Sequence, residues 1–161
     1  EAQLDEQFAM ASYIAMPQEI KSYKQLNTKN AKQSFLRLFW KRKNESALTG
    51  FSFKKEYYQR IAYANDHFGN PSSKFRRPGW KTDKGRVYII YGNPDEMLKR
   101  PNSSGFGPYE IWDYRQIQGG ILFYFVDEFN TNQWRLVHST AIGEVNDPDW
   151  NVKIQQAESM H

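Results

Sequence analysis

The chain is predicted to be α+β, with N-terminal helices packed on a C-terminal four-stranded, mainly antiparallel sheet. Three observations predict this. Apolar residues recur at helical spacing through the first 68 positions. From Arg86 onward the pattern changes to short runs of β-branched and aromatic residues. Three of these runs are joined by short turns, at Gly119-Gly120 and at Asn130-Thr131-Asn132, which is the mark of a meander.

Leu4, Phe8, Ala11 and Ala15 share one face of a first helical segment. Pro17 opens a second over residues 18–26, where Ile20 and Tyr23 stand three apart. Thr28 is placed to cap a third helix over 29–43, with Ala31, Phe35, Leu38 and Phe39 as its apolar stripe. Its basic end, Lys41-Arg42-Lys43, suits the negative pole of the helix dipole and reads as a solvated terminus. A loop over 44–50 leads to Ser52, the cap of a long helix over 53–68 lined by Tyr57, Ile61, Ala64 and Phe68. Gly69-Asn70-Pro71-Ser72-Ser73 ends that helix. The loop 69–83 is long for a compact domain, and such loops tend to be functional or mobile.

Strands are predicted at 86–91, 109–116, 121–127 and 133–139, with a flexible loop over 100–108. Asn146-Asp147-Pro148 is expected to cap a last helix near the C-terminus. The densest signal lies between Arg76 and Glu96. Pro78-Gly79 is one turn, and Thr82-Asp83-Lys84-Gly85 is a second, of type I. Val87–Tyr91 is a continuous apolar run, the expected form of a strand covered on both faces. Gly92-Asn93-Pro94-Asp95-Glu96 then reads as a helix start, with Asn93 as cap, Pro94 first in the helix and Glu96 closing a capping box. The expected organisation is a helical lead-in over 1–30, an α+β domain over 31–143, and a C-terminal helix or tail over 144–161.

At 161 residues the chain suits one domain, or one domain with a helical extension. Hydrophobic residues make up 39% and charged residues 25%, ordinary for a soluble globular protein. Aromatics at 16% are abundant enough to fill a modest core and leave some for a binding surface. The net charge of +4 comes from scattered Lys and Arg, so nucleic acid is not an expected partner. The absence of cysteine excludes disulfides and thiolate metal sites. No apolar run approaches the roughly 20 residues of a membrane-spanning helix, so no transmembrane segment is expected. The opening, Glu1-Ala2-Gln3-Leu4-Asp5, carries no signal peptide and reads as a domain excised from a longer precursor.

Candidate chemistry is sparse. His67, His138 and His161 are the only histidines, none at metal-ligand spacing. No catalytic residue, metal site or cofactor is assigned. His138, on a predicted strand, reads as a hydrogen-bonded structural histidine, and His67 as a helix-end residue. A hydrolase would need Asp83, Asp95, Glu96 and His138 to converge in one cleft. The helix-start reading accounts for Asp95 and Glu96 without one. Asp83 is expected to tie its own turn by a side-chain to backbone bond, with an ion pair to Arg86 or Arg135 as the alternative. Trp80 either pins its loop into the core or is presented to a partner, and pinning is preferred. Arg76 and Arg77, with Trp80, are the candidate binding residues, the arginines reaching a phosphate, carboxylate or glycan-linked acid.

The motif Gly79-Trp80-Lys81-Thr82-Asp83 resembles the signature of the GWxTD domain family. The resemblance extends to Phe39-Trp40 with its basic stretch, to Glu56-Tyr57-Tyr58 with Arg60, and to Ala62-Tyr63-Ala64-Asn65. It continues through Gly85–Glu96, Tyr109-Glu110-Ile111-Trp112 and Trp134–Ser139, about residues 35 to 140 in all. Asn44-Glu45-Ser46 stands where an Asp-Pro type of turn is usual, and Asn93 where proline is usual. The resemblance implies a structural or interaction module of a larger bacterial protein, periplasmic, outer-membrane-associated or secreted. Its partners would be other domains of the precursor or envelope proteins. It singles out Gly79, Trp80, Thr82, Asp83, Arg86, Asn93, Glu96, Trp112, Arg135 and His138 as motif positions. A shorter pattern, Gly92-Asn93-Pro94-Asp95 with Trp112-Asp113-Tyr114 and Leu122–Phe125, is similar to outer-membrane assembly lipoproteins of the SmpA/BamE type. That likeness implies, as an alternative, an accessory subunit of an assembly or secretion machine.

Overall fold

The computed structural model describes residues 1–46, 52–70, 76–101 and 107–159. The expected turns around 47–51, 71–75 and 102–106, and His161, lie outside the described residues. Helix α1 (Ala2–Ala11) runs into a single 3₁₀ turn, Ser12–Ile14, and α2 (Pro17–Lys24) starts on its proline. Phe8 of α1 stacks on Tyr23 of α2 with ring centres 3.9 Å apart, over Leu36 of α3 (Lys29–Ser46). Thr28 caps α3 through an Oγ1 that accepts from the Ala31 N–H at 3.2 Å. The buried stripe of α3 is Leu36, Phe39 and Trp40, while Leu38 is 48% exposed. At 100° per residue, position 38 is rotated off a face centred on 36, 39 and 40, which corrects the expected stripe. The basic end is corrected too. Arg42 and Lys43 pair with buried Glu19 at 3.3 and 3.2 Å, so α3 is fastened to α2 there.

Helix α4 (Phe53–Phe68) is capped by Ser52, whose Oγ accepts from the Lys55 N–H, and it buries Tyr57, Ile61 and Ala64. The largest correction follows. The run expected as the first strand is a helix, α5 (Asp83–Tyr91), capped by Thr82. Five apolar residues in succession are compatible with either element when all sides are buried. Ile89 enters the helical core with Ile61 and Trp80, whereas Val87 and Tyr88 enter the sheet core with Trp112 and Phe123. The helix ends at Gly92, whose φ of 82° reverses the chain. Arg60 of α4 donates to the carbonyls of Ile89 and Ile90, at 3.2 and 3.3 Å, and so satisfies the last turn.

Asn93 and Pro94 are consequently a turn, with no helix start, and Glu96 is the first residue of β1 (Glu96–Arg100). Strand β1 escapes sequence reading because edge strands carry charge, and Glu-Met-Leu-Lys-Arg has little β character. With β2 (Tyr109–Tyr114), β3 (Ile121–Val126) and β4 (Arg135–Ser139) it forms an antiparallel sheet of order β1-β2-β3-β4. Asn130 and Asn132 take positive φ in the β3–β4 turn, as Asn tolerates. Trp112, Tyr114, Phe123 and Phe125 face the helices. Tyr109, Tyr124 and Val126 face α6 (Trp150–Ser159), which covers the other side through Trp150 and Ile154. The result is three layers, with the sheet between the helical body and α6. A bulge in β4 pairs His138 with Tyr124 and Leu136 with Phe125, leaving Val137 as the extra residue. Val137 packs among the α6-side residues, and His138 lies against Tyr124 on that side.

Candidate functional site

The motif at 79–83 joins the helical body to the sheet. Gly79 opens a 3₁₀ turn, Gly79–Lys81, pressed against α4, where a Cβ would stand 1.8 Å from the Ala64 carbonyl oxygen. Trp80 is 7% exposed and packs with Trp40, Tyr57, Ile61 and Ile89. Its backbone N–H donates to Asn65 Oδ1 at 2.9 Å, and its carbonyl accepts from the Tyr13 hydroxyl at 2.7 Å. Lys81 is exposed, its Nζ 5.1 Å above the Trp80 ring. Thr82 Oγ1 donates to the Gly79 carbonyl at 2.7 Å and accepts from the Gly85 N–H at 3.0 Å. Asp83 starts α5, and its Oδ2 accepts from the Leu136 N–H of β4 at 2.8 Å. Four of the five residues are thus engaged inside the domain, and the unspecified middle position is the one that faces water.

The Asp83 bond corrects its expected role, since it reaches across to β4 and does not close its own turn. The alternative ion pairs are absent as well. Arg86 makes two bonds to Glu144, at 2.9 and 2.7 Å, and Arg135 pairs with Glu128 at 3.3 Å. Asp83→Asn keeps an acceptor but loses the charge beside a helix start, so about 1–2 kcal/mol of stability is expected to go. Asp95, which accepts from the Arg115 N–H at the surface, should cost less than about 1 kcal/mol as Asn. Equal melting temperatures for the two variants would refute the strand tie.

Tyr91 adds a hydroxyl to Glu144 Oε1 at 3.0 Å, giving a three-residue cluster between α5 and the chain beyond β4. The Arg86 hydrogen bond holds the Glu144 carboxyl below its usual range, against the opposing pull of burial. Burial and the Glu144 charge push the Tyr91 hydroxyl up to about 12. Because Glu144 is depressed on folding, the cluster stabilises fully above the ordinary carboxylate value of about 4.3 and fades as pH falls through the folded value. Glu144→Gln is expected to cost about 2–3 kcal/mol at pH 7, and less at a pH below the ordinary carboxylate range. Urea unfolding at both pH values checks this; a difference independent of pH would refute it.

Beside the motif lies a cleft of about 800 Å³, bounded by the end of α4, residues 76–84, β1, β2 and the β3–β4 turn. On its floor Lys84 Nζ meets Glu110 Oε2 at 2.6 Å, and both residues are buried. Trp112 Nε1 donates to the other Glu110 oxygen at 3.3 Å. The Trp134 ring covers Lys84, with Nζ 3.5 Å from its centre. Burial lowers the Lys84 ammonium pKa, opposed by the bond to Glu110. Arg76, Arg77 and Lys99 line the mouth, and among the described residues none has a carboxylate within ion-pair distance. Asn70 and Arg77 exchange backbone bonds at 3.0 and 3.2 Å, which fixes the wall carrying the arginines.

The sequence candidates divide accordingly. Arg76 and Arg77 are exposed at the cleft, while Trp80 is buried in the helical core and offers no surface. Asp83, Asp95, Glu96 and His138 do not meet. His138 lies on the α6 side, where Nδ1 accepts from the Asp147 N–H at 2.9 Å, and Asp83 bonds β4 from the helix side. Glu96 pairs with Arg115 at the far end of β1, three residues and three strands from Leu136, roughly 17 Å by strand spacing. No group of three acidic or histidine residues able to hold a metal occurs among the described residues. Sequence reading missed Lys84, Lys99, Glu110 and Trp134. A signal existed for one: Glu110 alternates with Trp112 and Tyr114, which places a carboxylate on the buried face of its strand.

These features define a three-layer α+β domain whose signature loop is a structural joint, set next to a cleft with cations at its mouth. The family model for the GWxTD domain matches residues 2–156, and the chain belongs to that family. The match takes in the N-terminal helices and most of α6. No curated protein and no solved structure matches the chain.

Proposed function

We propose that this domain is a non-catalytic interaction module of a larger bacterial protein of the cell envelope or secreted space, and that Arg76 and Arg77 meet its partner. The observation that carries this is the division of polar groups around the motif. Thr82, Asp83, Arg86 and Lys84 are bonded within the domain, whereas Arg76 and Arg77 stand exposed with no carboxylate partner among the described residues. Arginine on a rigid wall is an effective anchor for a partner's acid group, because its planar fork loses little freedom on binding. The envelope address is part of the proposal and is what the family resemblance implies.

A photo-crosslinking residue at position 77, compared with one at exposed Lys24 on α2, tests this in the bacterium that makes the protein. A crosslink to an envelope or secreted polypeptide from position 77 alone is expected. A partner belonging to an outer-membrane assembly or secretion machine would select the accessory-subunit form. No crosslink, or equal crosslinking from both positions, would overturn the reading.

A further inference from the structure

We infer that the cleft beside the motif binds an extended peptide segment bearing alternate acidic and aromatic side chains. This rests on the interaction-module reading and names the ligand of the same site. Among the described residues the charged lining comprises Arg76, Arg77, Lys84, Lys99 and Arg135 against Asp83, Glu110 and Glu128, five cations to three carboxylates, leaving +2. Lys84 and Glu110 neutralise one another, as do Arg135 and Glu128. The surplus therefore resides on Arg76, Arg77 and Lys99, where it is open to a ligand.

The lining reaches from Lys99 on β1 to Arg135 on β4, the two outer strands of the sheet, three strand spacings of roughly 4.8 Å apart, so the cleft crosses the width of the sheet. One phosphate or one carboxylate cannot span about 14 Å, but four residues of extended peptide at roughly 3.3 Å each do. The remaining surface is aromatic. Phe129 is 76% exposed on the β3–β4 turn, and the Trp134 ring, held by its Nε1 bond to Asn132 at 3.1 Å, lines the same cleft. Rings of this kind take apolar side chains between the charged contacts. A peptide also offers N–H groups that can donate to the carboxylates of the lining, which polyphosphate does not.

Binding is measured by fluorescence anisotropy with a labelled six-residue peptide of alternating glutamate and phenylalanine. The same peptide with glutamine for glutamate, inorganic tripolyphosphate and oligogalacturonate serve as competitors. The glutamate peptide is expected to bind saturably and to weaken as salt rises. Arg76→Glu and Lys99→Glu should each weaken it about tenfold, Phe129→Ser should weaken it less, and Lys24→Glu should leave it unchanged. All four positions are exposed, and circular dichroism confirms that each variant is folded. Equal competition by the glutamine peptide, by tripolyphosphate or by oligogalacturonate would overturn the inference, as would failure of the glutamate peptide to bind. A failure here beside a successful crosslink from position 77 sinks the ligand class alone; loss of both sinks the interaction reading.

Discussion

Gly79→Ala is expected to leave little folded protein. The added methyl would sit 1.8 Å from the Ala64 carbonyl oxygen and 2.4 Å from its carbon, both main-chain atoms of a buried helical turn. No rotamer relieves such an overlap, so α4 and the 3₁₀ turn must separate. Separation also pulls the Trp80 N–H from Asn65 and the Trp80 carbonyl from Tyr13. We expect a loss of at least about 3 kcal/mol, roughly 6–12 °C in melting temperature for a chain of this size. Lys81→Ala, two residues away and exposed, should stay within about 0.5 kcal/mol. Melting curves of the two variants check the contrast, and a Gly79→Ala protein melting with the parent would show that the contact yields.

The second large effect is Trp80→Ala, at about 3–5 kcal/mol. The indole is one of the largest side chains of the helical core and packs among elements spread from residue 13 to residue 89: Tyr13 edge-on at 6.3 Å, and the cluster formed by Trp40, Tyr57, Ile61 and Ile89. Its removal leaves a cavity that those helices cannot close without breaking the bonds at Asn65 and Tyr13. Trp80→Phe, which keeps most of the volume, should recover over half of the loss. Chemical denaturation with constant slope is the appropriate measurement. A Trp80→Ala domain with unchanged midpoint would mean that the ring is dispensable to packing and would reopen it as a contact residue.

Much of the helical half was readable because each helix has its own local signals. Thr28 and Ser52 cap where expected, and α2 starts on Pro17. Strands β2, β3 and β4 were readable from β-branched and aromatic content, and the asparagine turn from its tolerance of positive φ. The failure was concentrated between Thr82 and Arg100. Thr82 was read as part of a turn, although a threonine three residues before a glycine N–H is equally a helix cap. The apolar run behind it was read as a strand, and the charged strand after it was passed over. Each error fed the next, since a strand at 87–91 left Asn93-Pro94-Asp95-Glu96 free to look like a helix start.

The site was less legible than the fold. Arg76 and Arg77 were singled out because adjacent arginines in a loop are conspicuous, and they stand exposed at the cleft. Lys84, Glu110, Lys99 and Trp134 come from four separate segments, and nothing local marks them as neighbours. Asp83 shows the same limit: its acceptor role was foreseeable, but its donor is Leu136, 53 positions along the chain.

Local chemistry therefore sufficed for the class of fold, the caps at Thr28 and Ser52, the meander and the family, because these depend on residues within a few positions of one another. It did not suffice for the state of Val87–Tyr91 or for the cleft. A five-residue apolar run is buried in either conformation, and its choice rests on what surrounds it. Here α4 on one side and the sheet on the other enclose it all round, which only a helix exploits by turning Ile89 one way and Val87 and Tyr88 the other. The Lys84–Glu110 pair and the cations at the mouth then follow from where that helix sets the motif against the sheet.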